Sequence, residues 1–448
     1  MFVKEIQVQN FKSFKDLKIK LNPFNVLVGA NGSGKSNFLE VFTFLRDVAK
    51  EDIETAINRH GGFKYIQNLY MDSNQETSFK ISISTSTPKG GSILNFARGP
   101  SILTQAESAV YEFSLKIDKE TFKVTKDILT IHCTFLNTKD PVTYIQNPES
   151  IPKKRLERGT LILRRENGSL TCTLDVSKKM EPVKNRLLFF LYYMADPAEN
   201  ETLSSEMLAL LQKRDNKSPI PDNLLIVQIS YFFILVPLKK IFGKFLVYDF
   251  KPSEAKKTIG SNNKITLEAT GENLTTILEK ILEDKEKEKK FLNLLKDVLD
   301  FVEDIKIKKL DDQPLYFELK ELYEKKIYFP SYLLSEGTIN IILFIVVLYF
   351  EKQNILNIIE EPENHIHSTL IPTLIGMMKE VAEKKQVILT THSAEIVRYA
   401  GLNNLFLVSR SKEGHTSISK PAEREMVQSF LKNELGIEEL YLDNLLDI

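Results

Sequence analysis

The residues with the clearest chemistry form a glycine-rich loop near the start of the chain. The loop matches the pattern G-x-x-x-x-G-K-[ST] and follows an apolar run, Phe24 to Val28, that is typical of a buried strand. Glycines allow backbone N–H groups to turn towards phosphate oxygens, and the helix that follows adds a favourable dipole. In such a loop the lysine reaches the β and γ phosphates, and the final hydroxyl holds Mg²⁺. The residues of this phosphate-binding loop are Gly29, Ala30, Asn31, Gly32, Ser33, Gly34, Lys35 and Ser36.

Two adjacent carboxylates, Glu360 and Glu361, follow a second apolar run, Ile355 to Ile359. A phosphate-binding loop needs a partner carboxylate at the end of a nearby strand to position Mg²⁺ and water. Two carboxylates that leave one strand can divide these tasks, one towards the metal and one towards the attacking water. An exposed acidic turn is the alternative interpretation, and the presence of the phosphate-binding loop favours the functional one.

A histidine, His392, follows a third apolar run, Val387 to Thr390. In open α/β sheets, ligands bind outside the carboxyl ends of the strands. A histidine placed there can hydrogen-bond the γ phosphate or the hydrolytic water. A lone histidine is usually structural, but this placement favours a functional one.

The elements that must position these residues differ in character along the chain. From Lys35 to about Ala49, apolar residues recur at helical spacing. From about Thr77 to Val176, short β-type runs separated by turn residues predict an antiparallel sheet. From about Met180 to Val302 the pattern is mostly helical, and strand–turn–helix alternation then returns. The expected domains are an N-terminal part at 1–175, a helical insertion at 176–304 and a C-terminal part at 305–448.

Composition limits the class of protein. Of the 448 residues, 42% are hydrophobic and 27% are charged, which excludes disordered and collagen-like chains. Lys plus Arg and Asp plus Glu both number 60, so the net charge of zero indicates no overall attraction to nucleic acid or to an acidic membrane. Two cysteines suit a reducing compartment, and the most apolar stretches are shorter than the roughly 20 residues that span a bilayer. We therefore expect a soluble cytoplasmic protein with no membrane partner.

Four ordered motifs resemble those of the ABC-type ATPases. They are the phosphate-binding loop, Leu334 to Thr338, Glu360 to Asn364, and Thr391 to Ser393. The soluble RecF, SMC and OLD-like branch, often classed as AAA family ATPases of the AAA-21 or AAA-15 type, is the most similar. This resemblance implies an α/β P-loop head, in which a mixed sheet flanked by helices carries an antiparallel β subdomain and a helical insertion.

The resemblance also implies a homodimer with ATP and Mg²⁺ at its interface. Leu334 to Thr338 is then the signature motif, in which Ser335 and the Gly337 backbone donate to the γ phosphate held by the other subunit. Ile339 to Phe350 is expected to be a buried helix behind it, although this β-branched run fits a strand about as well. Lys12 is expected near the nucleotide.

Catalytic roles follow from the same resemblance. Glu361 is the general base or water-orienting residue, His392 is the switch histidine, and Lys35 is the phosphate-binding lysine. Ser36 and Glu360 belong to the Mg²⁺ shell.

The biological task is less specific in the sequence. The leading hypothesis is a dimeric ATPase coupled to a DNA-linked process, such as repair or anti-phage defence, with a separately encoded effector such as a nuclease or toxin. The alternatives are a nucleotide-gated scaffold with negligible hydrolysis, which sequesters or releases a partner protein, and the nucleotide subunit of a transporter, which the large insertion disfavours. Only 56 residues follow His392, so no Toprim nuclease domain of the OLD type is expected.

A local excess of basic residues is the feature that could contact DNA, although a solvated face is the commoner outcome for such a stretch. Four acidic residues lie among ten basic ones: Lys153, Lys154, Arg155, Arg158, Arg164, Arg165, Lys178, Lys179, Lys184 and Arg186.

Overall fold

The chain forms two compact units, each assembled from separate segments. Unit 1 comprises Met1–Asn22, Ser36–Lys244 and Arg410–Ser417, and unit 2 comprises Pro23–Lys35, Phe245–Ser409 and Ile418–Ile448. The computed structural model describes residues 2–71, 75–84, 95–97, 102–118, 121–137, 155–166, 169–178, 218–219, 225–228, 239, 241–257, 266–309, 315–324, 326–351, 355–432, 436–443 and 445.

The strands of the described residues form three sheets. In chain order they are β1 (Phe2–Phe11), β2 (Phe14–Lys20), β3 (Phe24–Val28), β4 (Thr77–Ser84), β5 (Asn95–Ala97), β6 (Ile102–Ile117), β7 (Phe122–Asn137), β8 (Arg155–Glu166), β9 (Ser169–Asp175), β10 (Ser218–Pro219), β11 (Phe245–Tyr248), β12 (Val302–Lys309), β13 (Leu315–Glu321), β14 (Tyr328–Pro330), β15 (Leu356–Glu360), β16 (Gln386–Thr391), β17 (Leu405–Arg410) and β18 (Thr416–Ser419).

Unit 1 contains a nine-stranded sheet of order β10-β9-β8-β7-β6-β4-β1-β2, with β5 beside β6. Its strand pairs are antiparallel, which confirms the antiparallel region predicted after Thr77. Alternate side chains of β4 are buried, as expected when one face of an antiparallel sheet packs on a core. Phe11, Phe44 and Phe79 form part of that core, with ring centroids between 5.1 and 5.6 Å apart.

Unit 2 contains a six-stranded sheet of order β11-β15-β16-β3-β17-β18 and a smaller antiparallel sheet, β12-β13-β14. The pairs from β11 through β17 are parallel. Every residue of β3 and β16 is buried, because parallel sheets are covered on both faces. Glu360 pairs with Thr390, and Thr391 pairs with Val28, so β15, β16 and β3 end at the same edge of the sheet. This register positions the candidate site.

One strand of that sheet forms where the sequence analysis predicted mostly helix. β11 lies inside the stretch from Met180 to Val302 that was predicted to be mostly helical, and it pairs in parallel with β15. Its four residues are too few to display a period of two, and Phe245 and Tyr248 are both buried. Residues 179–217, most of which belong to the stretch predicted to be mostly helical, lie outside the described residues.

The long apolar run after the signature motif is a helix, as expected. Its residues from Thr338 to Ile345 are all buried, and a π-helical turn, Val346–Phe350, continues it. Each buried Ile, Leu or Phe contributes about 1.5–3 kcal/mol through removal from water, which outweighs the weak helix propensity of isoleucine. The helices of the described residues are α1 (Lys35–Lys50), α2 (Ile53–Arg59), α3 (Phe63–Ile66), α4 (Pro252–Ala255), α5 (Leu274–Leu282), α6 (Lys285–Val298), α7 (Glu336–Ile345), α8 (Ile371–Ala382), α9 (Ala394–Ala400), α10 (Glu425–Lys432) and α11 (Ile437–Leu442).

None of the helices in the described ranges combines the length and the apolar character that crossing a bilayer requires.

Candidate active site

The phosphate-binding loop connects β3 to α1, the strand–loop–helix context that the motif requires. A Cβ at Gly29 would lie 2.3 Å from the carbonyl oxygen of Val408, so only glycine fits against β17. Gly32 and Gly34 have φ angles of 76° and 111°, which side chains rarely adopt. Ala30 to Gly32 and Ser36 are exposed, so the rim of the loop is accessible to a ligand.

Lys35 is held by the loop itself. Its Nζ donates to the carbonyl oxygens of Gly29 at 2.7 Å and Ala30 at 3.2 Å. Burial lowers the pKa of Lys35, and the negative charges of Glu361, Glu363 and Glu360 oppose that shift. Lys35 therefore lies close enough to interact electrostatically with Glu360, which ends β15, and with the two glutamates that follow the strand.

Glu361 has an unusual backbone conformation. Its φ is 43°, in the left-handed region, and its N–H donates to the carbonyl oxygen of Thr390 at 3.0 Å. Residues held in this region are strained and cluster at functional sites. The Oε1 atom of Glu361 lies 3.3 Å from the Nδ1 of His392, and its Oε2 accepts a hydrogen bond from the Nδ2 of Asn364 at 3.2 Å. The turn thus directs Glu361 towards His392.

His392 lies where the sequence analysis expected it, directly after β16. Its side chain is half exposed, and its carbonyl oxygen accepts from the hydroxyl of Tyr441 at 3.3 Å. The imidazole faces two carboxylates, since Nδ1 lies 3.3 Å from Glu361 Oε1 and 3.9 Å from Glu363 Oε1.

Glu363 was not singled out by the sequence analysis, although it is the last glutamate of the Glu-Glu-Pro-Glu run. Its Oε1 accepts from the Thr391 hydroxyl at 2.5 Å and from the His392 N–H at 3.3 Å. Burial raises the pKa of Glu363, while these hydrogen bonds act in the opposite direction. A third carboxylate two residues beyond Glu361 was the only sequence signal that could have indicated it.

The predicted Mg²⁺ residues have suitable chemistry. Glu360 ends β15, and Ser36 is the second residue of α1. Mg²⁺ prefers oxygen ligands and typically takes one or two from the protein, the remainder coming from substrate phosphates and water. Among the described residues, no group of three or more His, Cys, Asp or Glu side chains lies close enough together to hold a metal ion without other ligands. The Ser36 hydroxyl and the Glu360 carboxylate are each of the oxygen type that Mg²⁺ prefers, and their role in holding the ion remains a prediction.

The signature segment starts a helix. Ser335 is the N-cap of α7, where its Oγ accepts from the Thr338 N–H at 3.0 Å. A Cβ at Gly337 would lie 2.7 Å from the carbonyl oxygen of His365, so the glycine allows α7 to approach the turn after β15. Ser335 is exposed and, within the described part of the chain, makes no hydrogen bond to the phosphate-binding loop of its own copy.

Lys12 is engaged within unit 1. Its Nζ donates to the carbonyl oxygen of His60 at 2.6 Å and lies 2.9 Å from Glu40 Oε2. These contacts tie the turn between β1 and β2 to α1 and α2. The expectation that Lys12 lies near the nucleotide remains a prediction.

The basic stretch is only partly described. Arg158 and Arg164 are exposed on β8, and Arg158 lies 3.6 Å from Glu107. The basic residues that lie outside the described residues are Lys153, Lys154, Lys179, Lys184 and Arg186.

The model of the AAA ATPase domain family matches residues 1–397. This chain belongs to the AAA ATPase domain family. The match confirms the resemblance to AAA-15 type ATPases and makes the protein an ATPase with a nucleotide-binding site.

Curated relatives of this ATPase match over a short segment. Chromosome segregation protein sudA of Emericella nidulans is 51% identical over 49 residues, which are 10% of this chain and 4% of that protein. Urease accessory protein 2 of Cryptococcus neoformans var. grubii is 47% identical over 49 residues, with the same coverage. The ATPase therefore spans about 4% of the length of these relatives.

Solved structures similar to the ATPase include SMC head domains. The SMC head bound to the C-terminal winged-helix domain of ScpA has a TM-score of 0.48 and 12% identity, covering 94% of this chain and 98% of that one. The SMC head domain from Thermotoga maritima has a TM-score of 0.37 and 12% identity, covering 94% and 99%.

Proposed function

We propose that two copies of this ATPase hold ATP between them, with the phosphate-binding loop of one copy and the signature segment of the other on the same triphosphate. Ser335 supports this arrangement, because it is exposed at the N-terminus of a ten-residue helix. The N-terminus of a helix presents backbone N–H groups and a positive dipole end, which favour phosphate.

The main support for ATP hydrolysis is a cluster of three side chains at one edge of the parallel sheet. They are Lys35, Glu361 and His392. Phosphoryl transfer depends mainly on positioning and on charge stabilisation. Lys35 supplies positive charge to the phosphates. Glu361 orients the attacking water and accepts its proton, and His392 holds the Glu361 carboxylate through Nδ1. Mg²⁺, held through Ser36 and Glu360, supplies charge neutralisation on the phosphates when bound.

Substitution of Glu361 tests this role. Glu361→Gln keeps the size of the side chain but removes the base, so we expect kcat for ATP hydrolysis to fall at least about 100-fold while ATP binding persists. ATP that is bound but not hydrolysed should then hold the variant as a dimer. Sedimentation velocity with and without ATP and Mg²⁺ measures the fraction of dimer. Unchanged hydrolysis in this variant would remove Glu361 from the mechanism.

Substitution of Ser335 tests the shared site separately. Ser335→Arg in the Glu361→Gln background should abolish the ATP-dependent dimer but leave ATP binding by the monomer, because Lys35 and its loop are untouched. Ser253→Arg, at an exposed serine of α4, is the matched control and should still dimerise. Dimers of equal stability in both variants would exclude the signature segment from the interface.

We propose that turnover is coupled to a DNA-linked task, such as repair or anti-phage defence, and acts through a separately encoded effector in the cytoplasm. The exposed Arg158 and Arg164 on β8 and the exposed Lys178 after β9 are described residues of the basic stretch that support a DNA contact. Buried reduced thiols at Cys133 and Cys172 are consistent with a reducing compartment. Membership of an ATPase family favours hydrolysis over the scaffold alternative.

A further inference from the structure

Glu363 is the most buried of the carboxylates that face His392. Its side chain is 10% exposed, compared with 28% for Glu361, and the imidazole that both approach is 48% exposed. A carboxylate placed this deeply loses most of its hydration, so its position must be maintained by hydrogen bonds from the protein.

Those hydrogen bonds all reach the turn that carries His392. Glu363 Oε1 accepts from the Thr391 hydroxyl and from the His392 N–H. The Thr391 hydroxyl in turn accepts from the Ser393 N–H at 2.9 Å, at the start of α9. One carboxylate oxygen therefore organises three consecutive residues at the end of β16.

The second oxygen of Glu363 is not needed to build this turn. Oε2 is buried and has no hydrogen-bond partner among the described residues. A buried acceptor without a donor is unfavourable for folding and indicates a role beyond packing. An apolar side chain of similar size would avoid this unfavourable burial, but it would release the Thr391 hydroxyl and the His392 N–H.

We propose that Glu363 is a positioning residue for ATP hydrolysis, which clamps the Thr391–Ser393 turn so that the imidazole of His392 meets Glu361. Glu363 acts through His392 and does not itself take part in proton transfer. This inference rests on the roles proposed above for Glu361 and His392.

The experiment compares kcat and KM for ATP in Glu363→Met, Glu363→Gln and wild type. Methionine removes both acceptors at similar volume, so kcat should fall about tenfold or more with KM within about threefold, since misplaced catalytic groups lose rate more than binding. Glutamine retains one acceptor oxygen for Thr391 and His392, so it should keep kcat within about threefold of wild type. Glu383→Gln, at an exposed glutamate after α8, is the control for loss of a charge.

A double variant identifies the route of action. If Glu363 works through His392, the double variant Glu363→Met with His392→Ala should be no slower than the slower single variant. If the two residues act independently, their separate losses of kcat should multiply. Three results would each overturn the proposal. They are losses of kcat that multiply in the double variant, a kcat of Glu363→Met within twofold of wild type, and a Glu363→Gln variant as slow as Glu363→Met. A His392→Ala variant with wild-type kcat would instead refute the role proposed for the histidine, and with it the inference.

A second pair of variants covers the case in which Glu363→Met does not fold, as judged by thermal unfolding. Thr391→Val removes the hydroxyl that Glu363 holds, and Thr391→Ser retains it. The valine variant should reproduce the loss of kcat with KM preserved, and the serine variant should restore it. Equal kcat in both variants would overturn the clamp.

Discussion

Buried ionisable side chains give unit 1 a pH dependence that is separate from catalysis. Asp47 Oδ2 lies 3.0 Å from the Nε2 of His60, and Arg46 donates to its other oxygen at 2.7 Å. Burial disfavours the charged form of Asp47, but the hydrogen bonds from His60 and Arg46 outweigh it and lower the pKa to about 2. For His60, burial also opposes charge, yet Asp47 and Glu40 raise its pKa above the usual value.

The signs of these shifts define a pH window. Asp47 has a lowered pKa in the folded state, so its contribution is complete above about pH 4 and disappears as the pH falls towards 2. His60 has a raised pKa, so its contribution is complete below about pH 6.5 and disappears as the pH rises through the folded pKa. The pair is therefore most stabilising between about pH 4 and 6.5.

His60→Gln should remove this dependence. We expect a loss of about 1–3 kcal/mol in the free energy of unfolding at pH 6, because Asp47 keeps its burial but loses a charged partner. The loss should become smaller as the pH rises through the folded pKa of His60, where the wild-type histidine gives up its proton. Urea unfolding of both proteins over a series of pH values from about 6 upwards measures the difference, and His132→Gln, on an exposed position of β7, is the control. A loss that does not change with pH would contradict the ion pair.

Helix α7 and the turn after β15 form one hydrogen-bonded assembly. Asn340 donates to the carbonyl oxygen of Asn364 at 2.7 Å, and His365 Nδ1 lies 2.9 Å from Glu336 Oε2. Asn364 also donates to Glu361. The helix that presents Ser335 is therefore linked, within one copy, to the glutamate proposed as the base.

Gly337→Ala tests how closely these two elements must approach. Alanine normally stabilises a helix relative to glycine by about 0.5–1 kcal/mol. At position 337 the new methyl would collide with the His365 carbonyl, so we expect a net loss of about 1–3 kcal/mol instead. Because the displaced turn carries Glu361, kcat should fall as well.

Gly376→Ala is the matched control within α8. A Cβ there meets nothing within 4 Å, so the ordinary gain of about 0.5–1 kcal/mol should appear with kcat unchanged. Thermal unfolding and ATP turnover of both variants supply the measurements. Stabilisation by Gly337→Ala would show that the turn can move away without cost.

At the scale of the whole molecule, the formal charge of zero determines how DNA could be bound. Without a net positive field, long-range attraction is weak, and affinity must come from contacts between local cations and phosphates. Arg158 and Arg164 lie six positions apart on β8, so they share one face of the strand.

Arg158→Gln combined with Arg164→Gln should weaken DNA binding equally for all sequences. If both arginines contact phosphates, the slope of log K against log salt should fall by about 2, since each contact contributes about 0.9. Fluorescence anisotropy with duplex DNA between low and moderate salt measures this slope. The control, Lys296→Gln combined with Lys308→Gln, removes two exposed cations from unit 2 and should leave the salt slope of DNA binding unchanged. Equal slopes in the two double variants would contradict a DNA contact on β8.

The sequence by itself determined the elements whose chemistry is local. The phosphate-binding loop is specified by eight consecutive residues, because glycines, a lysine and a helix start suffice to define its conformation. The runs before Glu360 and His392 are mostly apolar, with Asn357 in the first and Thr390 and Thr391 at the end of the second, which is close to the pattern of strands buried on both faces. Even α7 could be anticipated as a buried element, although its β-branched residues left helix and strand equally open until packing decided.

Only the tertiary structure decided relations between distant residues. β11 is a strand because its neighbour β15 supplies parallel hydrogen bonds, and four residues contain too little periodicity to indicate this. Glu363 differs from an exposed acidic residue only because β16 ends beside it and brings Thr391 and His392 to one oxygen. Gly337 is required because His365 lies against it, not because α7 needs a glycine. Local sequence encodes backbone preference and burial, whereas such contacts arise only when separate strands end at the same edge of a sheet.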